Sequence, residues 1–87
     1  MPQLTTYYAI IDDETSRDNP AGIVRRVESA DGGFIDEGLR IDLNWHRTPV
    51  IVEWERAEAT DDLAEVSAEE AEQIIERLTA RWGAGGR

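Results

Sequence analysis

Residues 4–11 form the first hydrophobic run of the chain, LTTYYAII. β-Branched and aromatic residues fill nearly every position and show no 3.6-residue period, which predicts a strand rather than a helix. Because apolar side chains fall on both sides of this strand, we expect it to lie at the centre of a sheet.

A second strand is predicted over residues 22–29, GIVRRVES. The polar residues 12–21 before it predict a surface loop that turns at its Asn-Pro pair. After the strand, the Asp-Gly-Gly triplet at 31–33 supplies residues that tolerate a positive φ, as a tight reversal requires.

The middle of the chain predicts a hairpin of two half-buried strands. Apolar and polar residues alternate in residues 39–45 (LRIDLNW) and again in residues 49–56 (PVIVEWER), with a turn at 46–49 between them. Such a hairpin would place Trp45 and Trp54 on one apolar sheet face.

The first of these two runs has an alternative reading. Residues 34–38 fit the opening turn of a helix as well as a flanking strand. A helix with its apolar side at Ile35, Leu39 and Leu43 is therefore the rival to the strand at 39–45.

The clearest element is a C-terminal helix from Ser67 to about Trp82. The Ser-Ala-Glu-Glu sequence at 67–70 has the form of a capping box, in which the serine hydroxyl and the second glutamate cap each other's backbone amides. We expect the helix to end at Gly83. Apolar residues recur along it at steps of three and four and form one stripe that should lie against the sheet: Ala71, Ile74, Ile75, Leu78 and Trp82.

These elements predict an α+β domain, an antiparallel sheet of three to four strands with the C-terminal helix on one face. With 87 residues, the chain has room for one core. We assign residues 1–82 to this single domain, residues 57–66 to an acidic connection within it, and residues 83–87 to a flexible C-terminal tail.

The net charge of the chain limits the kinds of molecule that it is expected to bind. Acidic residues outnumber basic ones by 19 to 9, which gives a net charge of -10. Because such a surface repels polyanions, we expect no direct binding of nucleic acid. No apolar run approaches about 18 residues and no signal peptide is recognisable, so we expect a cytoplasmic protein without a membrane partner.

The sequence predicts no catalytic residues, no cofactor and no metal site. Because the chain has no cysteine, it can have neither a catalytic thiolate nor a metal site with cysteine ligands. The one histidine, His46, has no partner fixed by spacing, and we expect it to be a loop residue rather than a general base. Oxygen-bearing residues at 12, 14, 16 and 18 alternate as in a calcium loop, but Arg17 stands where the turn glycine belongs.

Arg25 and Arg26 form the one basic doublet of the chain. Neighbours on a strand point to opposite faces, so at most one of the two can be deeply buried and paired. We expect the other to be an ordinary surface charge, with contact to an anion as the alternative.

Four segments of the chain carry a resemblance to other proteins: YYAI at 7–10, NPAGIVRR at 19–26, Trp45 with Thr48-Pro49, and SAEEA at 67–71 followed by Ile74-Ile75. In these segments the chain resembles small uncharacterised acidic proteins of actinobacteria, over most of residues 5–82. The resemblance implies a bacterial cytosolic origin and no particular activity, cofactor or site.

Three functions remain open, and the first is a non-catalytic protein-interaction module. One helix cannot cover a whole sheet, so we expect a protein partner or a homodimer. The second is an acidic mimic of nucleic acid, or an immunity-type inhibitor, that blocks a basic enzyme. The third is a small enzyme that uses paired carboxylates. For an interaction module, the exposed surface is expected among the aromatic residues Tyr7, Tyr8, Trp45 and Trp54.

Overall fold

A computed structural model describes residues 4–85 and the side chains of residues 4–83. These residues form an α+β fold, as predicted, although its sheet has five strands rather than three to four. In chain order the elements are β1 (Leu4–Ile11), β2 (Gly22–Glu28), β3 (Phe34–Leu39), β4 (Trp45–Arg47), α1 (Val50–Glu55), β5 (Asp62–Val66) and α2 (Ala68–Gly85).

The five strands are antiparallel to their neighbours in the order β4-β3-β2-β1-β5. Strand β1 lies inside the sheet, as its two apolar sides predict, because Tyr7 pairs with Arg25 of β2 on one side and with Val66 of β5 on the other. Neighbouring residues alternate between the two sheet faces. We call these the α2 face and the α1 face, after the helix that packs on each.

Each face has its own small core. Helix α2 covers the first face, whose buried residues are Ala9, Ile23, Leu39, Val66, Ala71, Ile74 and Leu78. Helix α1 covers the second, where Val24, Ile51 and Leu63 are buried and Tyr8, Ile10, Val50 and Trp54 pack around them. The C-terminal helix thus packs on one face of the sheet, as predicted, and helix α1 on the other face is an element that the sequence did not predict.

Helix α2 confirms the predicted capping box. The Glu70 amide donates to the Ser67 hydroxyl at 3.1 Å, and the Ser67 amide donates to the Glu70 carboxylate at 3.2 Å. The helix does not end at Gly83 but continues to Gly85. A glycine ends a helix when it takes a left-handed conformation, and Gly83 keeps helical geometry. Residues 86–87 of the predicted tail lie outside the described residues.

The predicted strand at 39–45 is wrong, and so is its helical alternative. The chain turns at residues 40–44, where the Leu43 amide donates to the Arg40 carbonyl at 2.8 Å and the Arg40 amide donates to the Asn44 carbonyl at 3.0 Å. This turn divides the run into β3 and the short strand β4. The sequence predicts that Trp45 ends a strand and that His46 begins a turn. Both residues lie in β4 instead.

The predicted strand at 49–56 is also wrong, because residues 50–55 form helix α1. The Glu53 amide donates to the Pro49 carbonyl at 2.9 Å, and Ile51, which strand alternation would place on the polar side, is completely buried. Trp45 and Trp54 consequently lie on opposite sheet faces instead of forming one hairpin. The acidic connection at 57–66 contains strand β5.

Candidate interaction surfaces

The four aromatic residues among which the interaction surface is expected are divided between the two faces. On the α2 face, the rings of Tyr7 and Trp45 lie 6.4 Å apart, and on the α1 face those of Tyr8 and Trp54 lie 6.0 Å apart. All four are half-buried against the helices. The structure therefore brings these residues together as two packing pairs and not as a single exposed patch.

Arg25 completes the pair on the α2 face. Its guanidinium lies 4.0 Å from the centroid of the Trp45 ring, and it donates two hydrogen bonds to Glu37, of 2.8 and 3.0 Å. We expected one arginine of the doublet to be an ordinary surface charge. Arg25 is not, because it is paired with Glu37 and lies over the ring of Trp45. Arg25 and Glu37 cancel each other's charge on this part of the α2 face.

Arg26 forms a more deeply buried ionic network on the α1 face. It binds Asp36 through two hydrogen bonds, of 2.7 and 2.9 Å, and Glu55 through two more, of 3.0 and 3.1 Å. The side chains of Arg26 and Asp36 are 14% and 6% exposed. The hydrogen bonds with Asp36 raise the pKa of Arg26, and the contact with Glu55 ties α1 to the sheet.

Exposed side chains lie on both faces at the end of the sheet where β1 begins and the β2–β3 reversal lies. We call this the open end. Its two outermost rows cross three strands, with Leu4, Glu28 and Phe34 on the α1 face and Thr5, Val27 and Ile35 on the α2 face. Leu4, Phe34 and Ile35 are large apolar side chains, and each is exposed.

A second apolar feature lies in the turn between β3 and β4, residues 40–44, which we call the β3–β4 tip. Ile41 is 70% exposed and Leu43 is 41% exposed. Between them, Asp42 accepts a hydrogen bond from the Asn44 amide at 3.0 Å, and its other oxygen lies 2.9 Å from Nε2 of His46. These two contacts, the Asn44 amide first, lower the pKa of Asp42. His46 thus has a carboxylate partner that its sequence context did not reveal.

Most of the described arginines are engaged with other parts of the chain. Arg17 pairs with Glu70 at 3.3 Å, while Arg77 and Arg81 of α2 donate hydrogen bonds to the loop between β1 and β2. Those contacts lie on one side of α2. A different side of the helix carries three exposed carboxylates with no ion pair among the described residues: Glu69, Glu72 and Glu76.

The described residues contain no cavity, no group of three metal-ligating side chains, and no helix long and apolar enough to span a bilayer. No protein-family model, curated protein or solved structure matches the chain.

Two features of the sequence hide the exposed apolar residues. Ile41 and Leu43 alternate with polar residues, which predicts the buried side of a strand, although Asp42 and Asn44 are typical turn residues. The exposure of Ile35 depends on which rows of the sheet the helices cover, and no local pattern records that arrangement.

Proposed function

We propose that this protein is a non-catalytic protein-interaction module that binds a second copy of itself through the open end of its sheet. The observation that carries the proposal is the exposure of Ile35, 42%, in the outermost row of the α2 face. Exposed apolar side chains that extend a packed sheet are typical of surfaces that become buried in a complex.

Charge favours a second copy as the occupant of the α2-face row. Thr5, Val27 and Ile35 carry no charge, and the neighbouring pair of Arg25 and Glu37 is internally neutral. Two copies, each with a net charge of -10, can therefore meet here without placing unpaired carboxylates in contact. A two-fold axis through this row would make the contact self-complementary.

Light scattering tests this proposal. The mass of the wild-type protein should rise from 9.8 kDa towards twice that value as its concentration increases. We expect stronger association at about 200 mM than at about 50 mM salt, because salt screens the repulsion between the two acidic copies. A constant mass of 9.8 kDa up to about 100 μM at both salt concentrations would contradict the proposal.

A matched pair of variants locates the contact. Ile35→Ser should weaken dimerisation by at least about tenfold, because each copy loses the burial of one large apolar side chain. Ile41→Ser makes the same chemical change at the β3–β4 tip and should leave the dimer unchanged. Equal effects of the two substitutions would show that the open end is not the contact surface.

The acidic-mimic function is a second candidate, favoured by the exposed carboxylates on α2. Arg77 and Arg81 of the same helix bind the β1–β2 loop, so they do not neutralise Glu69, Glu72 and Glu76. A basic enzyme bound to this side would be held by long-range attraction, and its complex should weaken strongly between about 50 and 200 mM salt.

Two triple variants with the same loss of charge test that candidate against a purified basic enzyme. Replacing Glu69, Glu72 and Glu76 by glutamine should weaken inhibition of the enzyme. Replacing the exposed acids Asp13, Glu14 and Asp18 by their amides should have a much smaller effect. Equal loss in both variants would indicate attraction by net charge without a defined acidic surface.

A further inference from the structure

Strand β5 is the longer of the two outermost strands, and its outer side is open. It pairs with β1 through all five of its residues, whereas β4 at the other edge of the sheet has three residues. Within residues 4–85, no other strand pairs with β5. The outer side of such a strand carries backbone N–H and C=O groups that a further strand can bind.

Neighbouring hydrogen bonds show which backbone groups of β5 point outward. Residues of an antiparallel strand direct their N–H and C=O groups to one side and the other in turn. The Ile10 carbonyl accepts the Ala21 amide at 2.8 Å, towards β2, so Leu63, which lies opposite Ile10, faces away from β1. The Leu63 amide donates to the Asp62 carboxylate at 2.9 Å instead. Three groups therefore point outward without a partner among the described residues: the Leu63 carbonyl and both the amide and the carbonyl of Glu65.

This edge lacks the features that usually protect an outermost strand. Proteins shorten such strands, bend them with a bulge, or place proline or lysine in them. The sequence of β5, DLAEV, contains neither proline nor lysine, and its register with β1 advances one residue at a time from Asp62 to Val66, without a bulge. The edge is protected by negative charge alone, which repels an acidic strand and attracts a basic one.

The charge around β5 favours a basic partner over a second copy. Residues 57–76 contain eight acidic residues and no basic one. Glu58, Asp61 and Glu65 are exposed and form no ion pair with any residue that the structure describes. Arg56, the nearest arginine in the sequence, is exposed and pairs with none of them. A second copy of β5 would bring the same carboxylates into contact, whereas a strand with lysine or arginine would neutralise them.

We propose that an extended segment of a different protein, with lysine or arginine at alternate positions, adds to the sheet as an antiparallel strand beside β5. It makes three hydrogen bonds, to the outward groups of Leu63 and Glu65. Glu65 lies opposite Tyr8, which packs on the α1 face, so the cationic side chains of the added strand lie on that face beside Glu65. This inference goes beyond self-association, because β5 pairs with β1 only from Tyr7 onward and does not reach the open end.

An NMR titration with a synthetic peptide tests the inference. The probe is the acetylated and amidated eight-residue peptide TRVRVRVT, added to ¹⁵N-labelled protein at about 50 mM salt. We expect saturable shifts of the Leu63 and Glu65 amides with a Kd below about 1 mM. At a free peptide concentration of about ten times Kd, hydrogen exchange of the Glu65 amide should slow about tenfold. Exchange of the Ala64 amide, which faces β1, should not change.

Two N-methylated peptides separate strand addition from attraction by charge. In the proposed pairing, the backbone groups of the peptide's arginines face β5 and those of its valines face away. N-methylation of the three arginines removes the donors to β5 and keeps every charge, so it should weaken binding at least about tenfold. N-methylation of the three valines adds the same groups at amides that face solvent and should leave binding unchanged.

A matched pair of protein variants locates the basic side chains. Glu65→Gln should weaken binding of the unmethylated peptide by about two- to fivefold, because it removes the carboxylate beside the added strand. Glu69→Gln neutralises one exposed carboxylate on α2 and should leave the affinity unchanged. Both variants lose one charge, so attraction by net charge alone would affect them equally.

Each of the following results overturns the inference: no shifts at peptide concentrations up to about 1 mM, equal binding of all three peptides, or equal effects of Glu65→Gln and Glu69→Gln. Shifts of the β5 amides that follow protein concentration without peptide would assign the edge to a second copy instead. Ile35→Ser should bind the peptide as tightly as the wild type. Failure of the peptide to bind therefore leaves dimerisation through the open end standing, and failure to dimerise leaves strand addition standing.

Discussion

On the α1 face, Arg26 joins β2, β3 and α1 through its ion pairs with Asp36 and Glu55. Its guanidinium also lies 4.1 Å from the centroid of the Phe34 ring. Four hydrogen bonds compensate the loss of water around this buried charge. The network therefore stabilises the fold only while all of its charges are present.

Removing Arg26 should leave the Asp36 carboxylate buried without its partner. We expect Arg26→Met to lower the free energy of unfolding by about 3 kcal/mol, measured by urea denaturation. Arg56→Met, at an exposed arginine, should change it by less than about 0.5 kcal/mol. The double variant Arg26→Met, Asp36→Leu should recover most of the loss, and a double variant as unstable as the single one would contradict this explanation.

At the scale of elements, α1 is a short helix fixed by Ile51. Ile51→Ala should lower the free energy of unfolding by about 3 kcal/mol, because it leaves a cavity in the core beneath α1. Val52→Ala, at a half-buried position, should cost clearly less. A strand at this position would bury Val52 and expose Ile51, so the reverse order of the two effects would contradict the helix.

The capping box gives a prediction for α2. Ser67→Ala removes the hydroxyl that accepts the Glu70 amide and should lower the free energy of unfolding by about 1 kcal/mol in urea denaturation. Ser67→Asp keeps an acceptor at the same place and should retain most of the stability. If both variants unfold at the wild-type urea concentration, the cap does not stabilise the helix.

Glu70 makes this cap sensitive to acid. The Ser67 amide, and next to it Arg17, lower the pKa of Glu70 below its ordinary value of 4.5. A lowered pKa means that the carboxylate stabilises the fold fully above pH 4.5 and loses this contribution as the pH falls through the lowered value. The difference in unfolding free energy between wild type and Glu70→Gln should therefore shrink in acid; a difference independent of pH would contradict the assignment.

Strands β1 and β2 and helix α2, which the sequence predicted correctly, are the elements with an unambiguous local pattern. Strand β1 consists of β-branched, aromatic and other apolar residues, and α2 repeats its apolar residues at steps of three and four over about three turns. Helix α1 spans six residues, in which Val50 and Trp54 fit the alternation of a strand and the four-residue step of a helix equally well. The segment forms a helix and not a strand because the helix buries Ile51 in the core beneath it.

Strand β5 and the interaction surfaces depend on longer-range packing. Residues 62–66, DLAEV, have too few apolar positions to predict a strand, and they become one because Leu63 and Val66 pair beside β1 and enter opposite cores. Whether Ile35 is covered depends on the path of α2 across the sheet. Such features follow from the assembled fold and not from local propensity.

At the scale of the whole molecule, the sheet carries both internal ion pairs and exposed apolar side chains. Five carboxylates are paired with an arginine or histidine within the part of the chain that the structure describes: Asp36, Glu37, Asp42, Glu55 and Glu70. The other acidic residues keep the chain at a net charge of -10 and oppose association through most of the surface. The uncharged row at the open end is where we expect two copies to meet.

Paramagnetic relaxation between copies tests this contact most directly. The chain has no cysteine, so Ala30→Cys places a single spin label in the reversal beside the open end. The spin-labelled protein is mixed with ¹⁵N-labelled copies that carry no spin label. The spin label should weaken the amide signals of Thr5, Val27 and Ile35 in the ¹⁵N-labelled copies. The same label at Thr60→Cys should leave those three signals unchanged. No loss of signal with the label at position 30, or equal loss with the label at position 60, would contradict dimerisation through the open end.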